Sequence, residues 1–156
     1  FIRVRFRSVD SASIEKAKRM VKDFGDSSLY YFKTYGDKSF YFFQNDDGFI
    51  SYKTTASYAV VLENPVLKNH SPEVIQERIK EFESVMLSKN LNAIYYRIPE
   101  QSLNIYEALG KKKLFLGEDA YVNLETFTLE GDDGKSMRNS INKIGGISWS
   151  KLNRSK

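Results

Sequence analysis

The spacing of apolar positions along this chain changes several times, and each change marks an element. Residues 1–8, FIRVRFRS, alternate strictly: Ile2, Val4 and Phe6 fall on one side of an extended segment, Arg3, Arg5 and Arg7 on the other. From residue 11 the spacing becomes helical. Ile14, Ala17, Met20, Val21 and Phe24 form one stripe, Asp10 or Ser11 can accept the first free amide hydrogens, and Gly25 stops the helix. An aromatic stretch follows and ends in a predicted strand at 38–43. The turn NDDG (45–48) and the runs FISYKT and SYAVVL extend it into an antiparallel meander over 38–62. ENPV (63–66) is expected to end the third strand, because Pro65 has no ladder donor.

Ser71 caps a long helix with Pro72 at its favoured first position. Val74, Ile75, Ile79, Phe82, Val85 and Met86 line one side; Glu73, Glu77, Lys80, Glu81 and Lys89 line the other. NAIYYRI (92–98) reads as a buried strand, PEQSLNIYEALG as a short helix, and KKKLFLGEDAYVNL as one or two strands around Gly117. This order predicts an α+β fold with a mixed central sheet and flanking helices, the layout of the N-acetyltransferase-like (GNAT-type) fold. A likeness at that level fixes no function.

Composition narrows the chemistry. The 156 residues suit one domain of ordinary size, and 41% hydrophobic residues, with 11 Phe and 10 Tyr, supply an aromatic core. Without cysteine there is no disulfide, thiol nucleophile or cysteine-bound zinc, and a single histidine, His70, rules out a multi-histidine metal site. The net charge of +4 permits an anionic partner without establishing one. No apolar run approaches the roughly 20 residues of a membrane span. The chain opens on Phe rather than Met, so a longer parent protein is expected.

Acetyl-CoA binding on this fold uses a glycine-rich basic turn at a helix N-terminus, where backbone amides meet the pyrophosphate. The corresponding stretch here, ENPVLKNHSPEV, has no glycine, so acetyl-CoA is not expected, and neither is any other cofactor or a metal. Nor does a lone His70 make a nucleophilic triad. Glu63, Glu118 and Asp119 read as surface carboxylates, and the interleaved YGDKSFYFF reads as core strand rather than an RNA-stacking platform.

The segment EGDDGKSMRNSINKIGG (130–146) is different. With Arg138 set at 0° on a helical wheel, Lys135 falls at about +60°, Asn142 at about +40° and Lys143 at about +140°, while Met137, Ile141 and Ile144 fall between about −60° and −120°. A docked apolar face would turn Lys135, Arg138, Asn142 and Lys143 outward, a set suited to phosphate. An ordinary amphipathic surface helix has the same pattern, and geometry leaves both readings open.

The segment LGEDAYVNLETFTLEGDDGKSMRNSINK (116–143) resembles the C-terminal catalytic region of bacterial phosphatidylglycerol lysyltransferases, whose pattern is approximately LGEEA-x-V-x-L-x-x-F-S-L-E-G followed by L-R-x-x-x-N-R. Leu116, Gly117, Glu118, Ala120, Val122, Leu124, Phe127, Leu129, Glu130 and Gly131 stand in order, and Met137, Arg138, Asn142 and Lys143 take the later places. GDKSFYFF, VVLENPV and YYRIPEQSLNIYEALG resemble further stretches, so the likeness runs from about residue 15 to 149.

The resemblance implies part of an integral membrane enzyme that moves lysine from lysyl-tRNA to phosphatidylglycerol, lowering surface charge and protecting against cationic antimicrobial peptides. It implies a juxtamembrane basic strand at 1–10, the first of two tandem acyltransferase-like domains at 11–130, and at 131–156 a basic connecting helix entering a second, truncated domain. Lys135, Arg138, Asn142 and Lys143 would hold tRNA or lipid phosphate at the cytoplasmic face of the membrane. The departures are Asp132, Asp133 and Gly134, where members carry Lys or Arg, and Glu63–Asn64, where they carry Gly–Asp. A scaffold domain packed on a catalytic partner and a stand-alone N-acyltransferase for small amines are the alternatives.

Overall fold

The structure is a computed structural model that describes residues 10–118, 120–123, 125–132 and 134–143. The alternating segment 1–8 and position 144 of the last helical wheel lie outside the described residues. The described chain divides into two compact units, the first ending at Leu114 and the second beginning at Phe115.

Helix α1 spans Ser11–Phe24, and Asp10 is its cap: its carboxylate accepts from the Ser13 amide and hydroxyl, each at 2.8 Å. A 3-10 helix, Ser28–Thr34, follows it. Strands β1 (Ser39–Phe42), β2 (Gly48–Thr55) and β3 (Tyr58–Leu62) form the predicted antiparallel meander. A short strand β4, Val66–Leu67, returns to pair with Gly48 and Phe49 of β2. Helix α2 (Pro72–Ser88) then crosses to β5 (Asn92–Tyr96), which lies parallel to β3. A second 3-10 turn, Glu100–Ser102, leads into α3 (Leu103–Ala108), and α4 spans Lys135–Lys143. The sheet order is β1-β2-β3-β5 with β4 beside β2, a mixed sheet in an α+β fold.

Alternation along the strands sorts two cores. On one face Ile75, Ile79, Phe82 and Met86 of α2 pack on Phe43, Ile50, Tyr52, Ala59 and Val61. On the other, Ala17 and Met20 of α1 with Tyr30 pack on Phe49 and Val66. Arg78 fastens α2 to the β1–β2 turn: its Nε donates to Asp47 at 3.2 Å and its Nη1 to Glu81 at 2.8 Å, over the Phe43 ring.

The third strand ends at Leu62, just before ENPV, as expected, and the two residues after Pro65 rejoin β2 as β4. Two expectations need correction. Strand β5 stops at Tyr96, where Arg97 takes a φ of +58°, and it is half-exposed rather than buried: only Ala93 and Tyr95 turn to the α2 core. Second, the described residues of KKKLFLGEDAYVNL form no strand; Leu114 is 80% exposed and Tyr121 90%. Alternation supplies the propensity, but a strand needs a partner, and these residues pair with none of the described strands.

Phe82 is fully buried and meets Tyr41 and Tyr52 edge-on. Phe82→Ala is expected to lower unfolding free energy by about 3–5 kcal/mol in a denaturant titration.

Candidate functional site

The described residues of 125–143 build their local geometry around two glycines. Gly131 takes a φ of +77°, and the chain turns so that Leu129 faces the start of α4. A Cβ on Gly134 would collide with the Leu129 carbonyl oxygen, so only glycine allows this approach. The Arg138 amide bonds the Gly134 carbonyl at 2.9 Å, and its guanidinium Nη1 donates back to the Leu129 carbonyl. Arg138 is therefore half-buried and fixed, with most of its five N–H donors left for other acceptors. Lys135, Asn142 and Lys143 are exposed. Arg138 and Asn142, four apart, share a side of α4 with Lys135, and Lys143 stands about 100° beyond Asn142. No residue of α4 is buried, and Met137 and Ile141 are about half-exposed. A cavity of about 300 Å³ lies beside the helix start, lined by Phe127, Leu129, Gly134 and Met137 among others. The cations and the fixed guanidinium are groups of the kind that can hold an anion.

A second cluster lies in the first unit, and the sequence reading passed over most of it. At the carboxyl ends of the parallel strands, Glu63 and Arg97 both adopt left-handed φ, +54° and +58°. The Glu63 amide donates to the Tyr96 carbonyl at 2.9 Å, so the chain leaves β2 to follow β5 before Val66 returns it. Glycine takes that conformation freely; glutamate occupies it here with a buried side chain whose Oε2 has no hydrogen-bond partner among the described residues.

Lys33, 2% exposed, reaches in from the first 3-10 helix to donate to the Asn64 carbonyl and sits 3.8 Å from the Tyr30 ring centroid. The Asn64 side chain donates to Ser102 Oγ at 2.8 Å and accepts from the Tyr106 hydroxyl at 3.0 Å. Burial pushes the Lys33 ammonium down to about 7, against the upward pull of Glu63 and Asp26. Burial also raises the Tyr30 and Tyr106 hydroxyls above the usual phenol range. The legible signal was a lysine inside the aromatic run LYYFKTY; no spacing rule connects it to Asn64, 31 residues away.

His70 is half-buried and tied to the end of α1: Nε2 lies 3.1 Å from the Phe24 carbonyl and Nδ1 3.3 Å from Asp26. Glu118 is exposed. Among the described residues no group of three His, Asp or Glu could hold a metal ion, and no helix is long and apolar enough to cross a membrane.

Residues 18–146 match the family model described as phosphatidylglycerol lysyltransferase, C-terminal. A phosphatidylglycerol lysyltransferase of Staphylococcus epidermidis is 29% identical over 125 residues, 80% of this chain and 14% of that protein. One of Staphylococcus xylosus is 25% identical over 148 residues, 94% of this chain and 17% of that protein. The chain thus spans about a sixth or less of these relatives. Among solved structures, L-PGS of Bacillus licheniformis superposes with a TM-score of 0.67 at 27% identity, covering 83% of this chain and 39% of that one. The C-terminal domain of a putative lysylphosphatidylglycerol synthetase from Agrobacterium fabrum, at 24% identity and a TM-score of 0.65, shares the fold.

The buried amine sets a pH dependence. Below about 7 Lys33 is charged in folded and unfolded chains alike; between about 7 and 10.5 only the unfolded chain holds the extra proton. Stability therefore rises with pH across that window, until tyrosine ionisation in the unfolded chain opposes it near pH 10. Lys33→Met is expected to flatten the slope of unfolding free energy between about pH 7 and 9, measured by urea titration.

Proposed function

Since the chain belongs to the phosphatidylglycerol lysyltransferase family through that family's C-terminal region, we propose that it is part of a membrane-bound enzyme that transfers lysine from lysyl-tRNA to the glycerol headgroup of phosphatidylglycerol. The observation that carries this reading is the continuous family match over residues 18–146, which takes in both the mixed sheet and α4. The fold is read as GNAT-type, supported by an antiparallel meander whose last strand gains a parallel neighbour through α2. The place of an acetyl-CoA cradle is taken by buried Glu63, by Pro65 and by Pro72, none of which favours a pyrophosphate.

Such a reaction asks little covalent help of the protein. An aminoacyl ester is already activated, and a lipid hydroxyl attacks its carbonyl, so positioning and stabilisation of the oxyanion account for the rate. In this reading Lys135, Arg138, Asn142 and Lys143 hold a phosphate of tRNA or lipid, with Arg138 pre-set by the Leu129 carbonyl. They act as neither nucleophile nor base. The remaining machinery belongs to a second acyltransferase-like domain that begins within 131–156 and continues in the parent chain. The domain works at the cytoplasmic face of the cell membrane, and the lysylated product lowers negative surface charge and resists cationic antimicrobial peptides. A scaffold role is the second reading, favoured by the half-exposed Met137 and Ile141, which leave α4 an uncovered apolar side for a partner.

In the parent protein, Arg138→Glu combined with Lys143→Glu is expected to reduce kcat/KM for lysine transfer into phosphatidylglycerol vesicles by about tenfold or more, with weaker tRNA binding or a higher lipid KM. Undiminished transfer and unchanged binding of both substrates would leave the scaffold reading standing.

A further inference from the structure

The first 3-10 helix sends its side chains two ways. Tyr30 and Lys33 go inward and anchor it, while Tyr31, Phe32 and the following Tyr35 stand 61%, 44% and 43% exposed. These three rings form one patch. Their centroids lie 6.5 Å apart for Tyr31–Phe32, 5.7 Å for Tyr31–Tyr35 and 5.5 Å for Phe32–Tyr35, all edge-on. The Thr34 hydroxyl, donating to the Tyr31 carbonyl at 2.8 Å, and the buried Lys33 hold the backbone beneath them. The rings are thus presented by an anchored turn and not by a loose loop.

Cations border the patch. The Lys38 ammonium lies 5.2 Å from the Tyr35 ring centroid, and Lys53 joins it through Asp37 at 3.1 Å. The one carboxylate between them, Asp37, is engaged by both lysines. Two lysines stand against one paired acid. Tyrosine and phenylalanine beside lysine are the residues that settle at a membrane–water interface, rings toward the acyl chains and polar tips among headgroups. An isolated exposed ring is ordinary; three in mutual contact with a cationic border form a surface.

We propose that Tyr31, Phe32 and Tyr35, bordered by Lys38 and Lys53, dock this domain on the surface of an anionic phospholipid bilayer. The inference rests on the reading that the parent protein acts on phosphatidylglycerol, and it assigns the contact to a place in the fold distant in sequence from α4.

The test is co-sedimentation of the chain with phosphatidylglycerol–phosphatidylcholine vesicles and with phosphatidylcholine vesicles alone. Wild type is expected to partition onto the anionic vesicles, and less so at high salt. The triple variant Tyr31→Ser, Phe32→Ser, Tyr35→Ser should bind about tenfold less or weaker with its thermal midpoint held, because the rings contribute little to the core. Leu87→Ser, an equally exposed apolar change on α2, should bind as wild type. The proposal is overturned if the triple variant binds like wild type or if wild type ignores anionic vesicles. It is equally overturned if the substitutions abolish self-association or RNA binding and leave vesicle binding intact. This readout needs no turnover, so a parent protein without lysine transfer would refute the transferase reading separately.

Discussion

One backbone hydrogen bond, from the Glu63 amide to the Tyr96 carbonyl, decides how the first unit is laid out. At Leu62 the third strand has two possible companions, β2 on one side and β5 on the other. The bond commits the chain to β5 for one residue, at the cost of a left-handed glutamate. Val66 then re-enters beside β2. Because the departure is held from beneath by Lys33 and laterally by the Asn64–Ser102–Tyr106 bonds, the first 3-10 helix, the sheet and α3 are all tied to the same three residues. The two apolar cores meet around this point: Val61 belongs to the α2 side and Val66 to the α1 side.

Much of the architecture was legible. The caps Asp10 and Ser71, the NDDG turn and the helical stripes of α1 and α2 are local signals, and each appears where its chemistry predicts. The failures share a cause. A strand exists only with a neighbour, and neither β4, two residues long, nor the unpaired described residues of 111–123 can be judged from their own sequence. Arg97, which ends β5 early, looks in sequence like any other strand residue.

The segment 135–143 was legible as a helix, and its cations lie on it in the anticipated order. The Leu129 carbonyl was not legible. A guanidinium drawn as pointing outward on a helical wheel is here bonded to its own chain, which trades freedom for orientation. The departure at Glu63 was visible as an unusual residue, and the structure supplies its meaning. Glu63 sits in left-handed backbone, a conformation that glycine adopts freely, which matches the glycine that the resemblance led one to expect there.

Lys33 has a further consequence. An amine that sheds its proton near pH 7 is a nucleophile, and an activated aminoacyl ester is open to attack by any amine that reaches it. A lysine with that property on an acyl-transfer surface would be a competing acceptor and would end modified. Here the same burial that makes the amine reactive keeps it out of reach of any ester, beneath Tyr30 and against the Asn64 carbonyl. When the first 3-10 helix lifts away the burial is lost and the amine regains its proton near pH 7, so it is never neutral and accessible at once.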